Sequence, residues 1–272
     1  MAEIKKILFE TLGEFQRKGG MVRASHLALS FMLALFPFAI FALSLAAVFS
    51  GEGDIDLVVN FILGYWPPEI VEPIENELRA VLQSGAGSLT FGAVLSIVFA
   101  TNGVDAIRVV VTEAYRDEDP RPFWRTRMLA FVFVVAGTLM ILAAGILSVA
   151  IPLAIHYFDD VVPWLSESIF SNDQFRSLLT VMLTVFFLYA CHRWLPGTKH
   201  RFRDVFPGVL LTVALWIVAS NAFGFYISNF STYSVTYAGL AGVITVLVYL
   251  YVMSAIFVLG AEFNGRLIQR DR

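Results

Sequence analysis

VFPGVLLTVALWIVASNAFGFYISNF (205–230) and AGLAGVITVLVYLYVMSAIFVL (238–259) decide the fold. Neither contains a charged residue, and each is long enough to cross a ~30 Å hydrocarbon core as a helix, which takes ~20 apolar residues. In lipid a backbone must satisfy its own hydrogen bonds, so two such runs joined by a short loop read as a helical hairpin. Outward from this pair lie four more apolar runs, at 24–50, 88–111, 127–155 and 175–195. The expectation is an all-α, polytopic membrane protein with six transmembrane helices in a single helical membrane domain over 1–272.

Composition agrees. Of the 272 residues 58% are hydrophobic and 15% charged, with a mean hydropathy of +0.73. A soluble domain is about 45–50% apolar and about a quarter charged, so a lipid-facing surface is needed to absorb the excess. Cys191 is the single cysteine, which excludes a disulfide framework and a cysteine metal cluster; it reads as a small apolar filler. The charged opening stretch and the long first run favour a retained anchor over a cleaved signal peptide.

Charge sets the orientation. With the N-terminus inside, 17 of the 19 basic residues fall on one side: Lys5 to Arg23, Arg108 to Arg127, Arg193 to Arg203, and Arg266, Arg270 and Arg272. Arg79 and Arg176 alone fall opposite, among eleven acids that include Glu52, Glu69, Glu77, Asp159 and Asp173. This asymmetry governs insertion and puts both termini in the cytoplasm of a bacterial inner membrane. An odd number of spans would break the alternation.

The individual segments carry finer expectations. Residues 3–17 place Ile4, Ile7, Leu8, Leu12 and Phe15 at helical spacing, an N-terminal cytoplasmic amphipathic helix lying on the membrane or on the protein's own inner face. Pro37 kinks the first span. Residues 51–86 contain a second amphipathic stretch, a periplasmic helix between spans 1 and 2. The span at 127–155 is longer than the core is thick and must tilt or protrude.

Polar groups at membrane depth are the candidate functional residues, because an ionisable side chain stranded in hydrocarbon costs several kcal/mol. Asn102, Asp105 and Arg108 recur every three residues on one face of the second span, and Asp105 and Arg108 can pair. They line either a cavity opening to the cytoplasm or a helix end at the interface. Glu262 and Asn264 follow the sixth apolar run, with Arg108, Arg125 or Arg127 as partners available to Glu262 on that side. Asn221 lies deep in the fifth span and Asn229 near its outer end, where asparagines more often cross-link helices than bind substrate. The match of ATNG (100–103) to ASNA (219–222) hints at inverted repeats. The four histidines, His26, His156, His192 and His200, form no metal-site spacing; His192 and His200 are read as solvated or headgroup-facing. No catalytic residue, cofactor or metal site is expected, and the basic face needs no nucleic acid to explain it.

Three stretches resemble the YihY/virulence factor BrkB family of inner-membrane proteins, some once labelled ribonuclease BN: SHLALSFMLALFPFAIF (25–41), RPFWRTRMLA (121–130) and the long block 203–267, which ends in GAEFNGRL. The family's marks fall on Phe36-Pro37, Arg121-Pro122, Arg203-Asp204, Pro207-Gly208, Asn229-Phe230-Ser231, Tyr233, Tyr237, Gly260-Ala261-Glu262 and Asn264, while His26 departs from the usual residue. The resemblance implies a six-helix membrane protein often described as a transporter. The expected activity is export or flipping of a lipid or amphiphilic solute, with membrane lipids as partners. The rival is a non-transporting scaffold for envelope proteins. Small-residue faces could serve a homo-oligomer as readily as intrachain packing.

Overall fold

The computed structural model describes residues 2–34, 86–116, 118–158, 168–198, 200–230 and 238–270. Among the described residues the secondary structure is helical throughout. Helix α1 is Ala2–Arg17 and α2 covers 20–34; α3 is Ala86–Tyr115 and α4 is Phe123–Gly145. A π-turn, Ile146–Ala150, leads from α4 into α5, Ile151–Phe158. A single 3₁₀ turn, Ile169–Ser171, precedes α6, Asp173–Trp194. Helices α7, Phe202–Phe230, and α8, Ala238–Arg270, complete the set.

Local chemistry sets several boundaries. Gly19 has φ +66°, a left-handed turn that costs glycine nothing and lets α2 fold back against α1. Arg116 (φ 56°) closes α3, its N–H donating to the Glu113 carbonyl. The Asn172 side chain caps α6 by accepting from the N–H groups of Gln174 (2.8 Å) and Phe175 (3.2 Å). Pro152 lacks an N–H and its ring crowds the preceding turn. The π-turn immediately before it relieves that conflict without breaking the helix.

Among the described residues four helices are long and apolar enough to span a bilayer: Phe123–Ile155, Asp173–Trp194, Phe202–Tyr226 and Ile244–Arg270. These coincide with the runs expected at 127–155, 175–195, 205–230 and 238–259. Their apolar windows are only 22–33% buried, and outward-facing side chains such as Met128, Leu178, Phe186, Val218, Phe225 and Ile244 are exposed. A water-soluble protein would not leave that surface bare. The run expected at 88–111 lies within α3. The first run is described only to residue 34, so Pro37 and the expected periplasmic helix lie outside the described residues.

One boundary differs in a way that matters. Helix α8 does not stop where its apolar run ends at Leu259 but continues to Arg270. Glu262 and Asn264 therefore sit inside a helix and face inward, 1% and 0% exposed.

Helix α8 packs on α7, α3 and α1. Its antiparallel seam with α7 is held by three polar links. At the inner end the Gly208 N–H donates to Asn264 Oδ1 (2.7 Å). Midway, Trp216 Nε1 donates to the Met253 carbonyl (2.9 Å), and farther out the Ser220 and Tyr249 hydroxyls lie 3.1 Å apart. Glycine makes this closeness possible. A methyl group on Gly208 would overlap the Gly260 carbonyl and the Asn264 amide, and one on Gly260 would overlap the Thr212 hydroxyl. Around the seam's inner end lies the core, from Ala24 and Leu27 of α2, Val110, Val111 and Ala114 of α3, Cys191 and Leu195 at the end of α6, Val205 and Val209 of α7, and Val258 and Ala261 of α8.

Gly208→Ala should lower stability by about 1–3 kcal/mol through overpacking. Gly224→Ala, in the same helix with open space around it, should be neutral or stabilising. Unfolding of both variants in mixed detergent micelles measures the difference.

Candidate functional site

Three polar assemblies gather at one end of the bundle. The first is fully buried. Asn264 Nδ2 donates to the Val205 carbonyl (2.6 Å) while its Oδ1 takes the Gly208 N–H, so the amide straddles Pro207 of α7. One donor and one acceptor on the backbone fix which way the amide points. The same Nδ2 lies 3.3 Å from the Tyr115 hydroxyl, and that hydroxyl lies 2.6 Å from His192 Nδ1. The Asn264 amide nitrogen lies 3.4 Å from the same Nδ1, so the assignment that fits both contacts has Nδ1 as acceptor and the ring proton on Nε2. Nε2 is buried with no hydrogen-bond partner among the described residues.

The second assembly is ionic. Glu262 accepts from Arg23 Nη1 on one oxygen and from Lys18 Nζ on the other, both at 2.9 Å. Arg23 also reaches Glu113 at 3.0 Å. Beside it, Glu14 of α1 meets Arg17 (2.6 Å), Arg116 (2.8 Å), Lys18 (3.2 Å) and Arg266 (3.3 Å). Burial alone would raise the Glu14 carboxyl, but the Lys18 hydrogen bond and the charges of Lys18, Arg266 and Arg116 hold it below the usual glutamate range. Helix α1 is thus pinned through Thr11, Glu14 and Phe15, all buried, while Phe9 (81%) and Leu12 (46%) are exposed on its other side. Of the two expected resting places, the protein's own face is the one these contacts show; the other side of the helix carries exposed apolar side chains.

The third assembly runs along α3 and into the following loop. Arg108 Nε donates to Asp105 (2.7 Å) and Nη1 to Asp119 (2.7 Å). Arg127 Nη1 of α4 donates to Asn102 Oδ1 (2.7 Å). Asn102 is exposed and the Asp105 side chain is 35% exposed, so these groups form a track on the bundle surface and are not sealed inside. Asp119 is gripped by Arg121, whose guanidinium also binds the Leu195 carbonyl and ties this loop to the end of α6. The Arg121 hydrogen bonds, aided by Arg108 and working against partial burial, hold the Asp119 carboxyl down at about 2.

The sequence candidates divide accordingly. Asn102, Asp105 and Arg108 share the α3 track. Glu262 is paired, but with Lys18 and Arg23 and not with Arg108, Arg125 or Arg127: the continued α8 helix turns it toward α1 and α2. Asn264 belongs to the buried node. Among the described residues Asn221 bonds no second helix; its amide is exposed and donates back to the Ile217 carbonyl of its own helix (2.7 Å). The Asn229 side chain lies outside the described residues. His192 and His200 are 0% and 6% exposed, not solvated, because α6 carries its inward face through the last turn and His200 packs edge-on against Tyr115 (4.9 Å). Reading the α6 period to its end exposes the signal: Leu188, Cys191, His192 and Leu195 form one i, i+3, i+4, i+7 stripe. Among the described residues no group of three His, Cys, Asp or Glu side chains is placed to hold a metal.

The model of the family described as Virulence factor BrkB matches residues 11–272. The ribonuclease-like protein YfkH of Bacillus subtilis (strain 168) is 29% identical over 275 residues, covering 97% of this chain and 96% of its own length. A UPF0761 membrane protein of Alkalilimnicola ehrlichii is 28% identical, covering 93% of this chain and 56% of that protein. One from Xanthomonas campestris pv. campestris (strain 8004) is 27% identical, with 88% and 55% covered. The chain thus spans about half the length of these UPF0761 relatives. No solved structure matches.

The depressed Asp119 carboxyl makes a pH prediction. A folded value near 2 against an ordinary 3.8 means the stabilisation is complete above the ordinary value and is lost as pH falls toward 2. Thermal unfolding in detergent should show wild type losing its advantage over Asp119→Asn across that acidic window, with the gap constant from pH 5 to 8.

Proposed function

The chain belongs to the virulence factor BrkB family of membrane proteins, and on that premise we propose that it is a transporter or flippase moving a lipid or amphiphilic solute across a bacterial inner membrane. The proposed topology has six spans and both termini in the cytoplasm, supported by the one-sided placement of the basic residues.

The observation that carries the reading is the partly open track of Asn102, Asp105 and Arg108, with Arg127 beside it. Asn102 and Asp105, in one register with the largely covered Arg108 along a span and themselves left partly accessible on the bundle surface, would be costly against acyl chains. Hydrated, they form a path for a polar headgroup whose tails remain in the bilayer. Glu262 points the other way. Both its oxygens are engaged by Lys18 and Arg23, so it pins α1 and α2 and is ill placed to exchange an ion. That favours, as a second reading, a scaffold whose partners meet its surface. The word ribonuclease in the name of the Bacillus subtilis relative is not carried over: we read this chain as non-enzymatic, with no general acid–base pair proposed. Metal-dependent RNA cleavage by purified protein, lost on substituting one histidine, would overturn that reading.

Reconstitution into liposomes tests transport. Wild type should scramble fluorescent lipids or release an amphiphile from a broad panel. Asp105→Asn should slow this by about tenfold, equivalent to ~1.4 kcal/mol on the barrier. No flux with any of the panel, or full flux from Asp105→Asn and Asn102→Leu, would count for the scaffold.

A further inference from the structure

We propose that the end of the bundle formed by the starts of α4 and α7 and the end of α6 is a binding surface for anionic phospholipid headgroups. Phe123 (65% exposed) and Trp124 (79%) open α4, Trp194 (50%) ends α6, and Phe202 (53%) opens α7. All four belong to helices long and apolar enough to span. Exposed aromatic rings at span ends mark the depth of the bilayer interface.

Interleaved with them are Arg125, Arg201 and Arg203, all exposed and without an ion-pair partner among the described residues, unlike the arginines of the Glu14 and Asp119 clusters. The three elements are physically joined there. Arg121 binds the carbonyls of Trp194 and Leu195, Tyr189 packs on Phe202 (5.2 Å between ring centres), and Gly197 sits against the Asp119 backbone so closely that a side chain would not fit. The acids nearby offset the surplus only in part. Asp119 is occupied by Arg108 and Arg121, and Asp204 accepts the Arg201 N–H (3.1 Å); Glu118 is exposed.

Unpaired guanidinium groups beside interface-depth indoles suit a phosphate carried on a lipid: the ring sits among glycerol and upper acyl groups while arginine meets the headgroup charge. The helix N-termini of α4 and α7 add positive potential on the same side. This proposal rests on membrane insertion alone; it stands or falls independently of transport.

Native mass spectrometry of the purified full chain, with phosphatidylglycerol and phosphatidylcholine of identical acyl chains, is the test. Wild type should retain the anionic lipid preferentially. Each of R125Q, R201Q and R203Q should weaken that preference on the order of fivefold, and the triple variant should bring the two lipids near parity. The exposed side chains make no ion pair among the described residues, so folding is spared, and each single variant is readable alone. R17Q/R116Q, which removes two arginines engaged by Glu14, should keep the preference. A triple variant that retains wild-type preference, a control that loses it equally, or a wild type indifferent to headgroup charge would each overturn the assignment.

Discussion

Everything at the inner end of this bundle depends on one buried amide. Asn264 inserts between Val205 and Gly208 on either side of a helix-borne proline, accepting from the Gly208 N–H and donating to the Val205 carbonyl of α7. In a low-dielectric setting a fully buried amide could not itself be left without partners. Because the amide can reach only if α7 and α8 nearly touch, Gly208 and Gly260 must be bare. The close approach then brings Tyr115 and His192 into the same node, so four helices meet on one side chain.

From that node outward the structure trades apolar packing for charge. The ion pairs of Glu262 and Glu14 hold α1 and α2 to the continued end of α8, and the Asp119–Arg121 contacts hold the α3–α4 loop to the end of α6. Buried charges are expensive unless several partners share them, which is why Glu14 collects four cations and Glu262 two. Among the described residues, the arginines at the starts of α4 and α7 are without a carboxylate partner, and the complement proposed for them is a lipid surface. The polar track on α3 lies between these regimes, neither locked inside nor wholly outside.

The spans were legible because hydrophobic length and one-sided basic residues are strong, additive signals. Individual partners were not. Glu262 pairs with Lys18 and Arg23, more than two hundred residues away in sequence, and no local pattern specifies that distance. Polarity placed the end of α8 at Leu259 and read His192 as solvated or headgroup-facing, whereas helical phase runs on: Ala261, Asn264 and Ile268 extend the buried stripe of α8 as His192 and Leu195 extend that of α6. Asn221 misleads in the opposite sense, since an amide deep in an apolar run can satisfy itself on its own helix. That Asn102, Asp105 and Arg108 share one side of a helix was legible, because three polar residues at one helical interval stand out in a lipid-facing stretch.

The central claim is that this α3 track is wetted in the membrane. Cys191 is the single native cysteine and is buried, so introduced cysteines can be probed with a membrane-impermeant maleimide in inverted vesicles. Cysteine at Asn102 and Asp105 should react at rates approaching that of cysteine at the loop residue Glu118, while cysteine at Val98 and Phe99, exposed apolar positions of the same helix, should stay unlabelled. Asn102 and Asp105 positions as inert as Val98 would contradict the account.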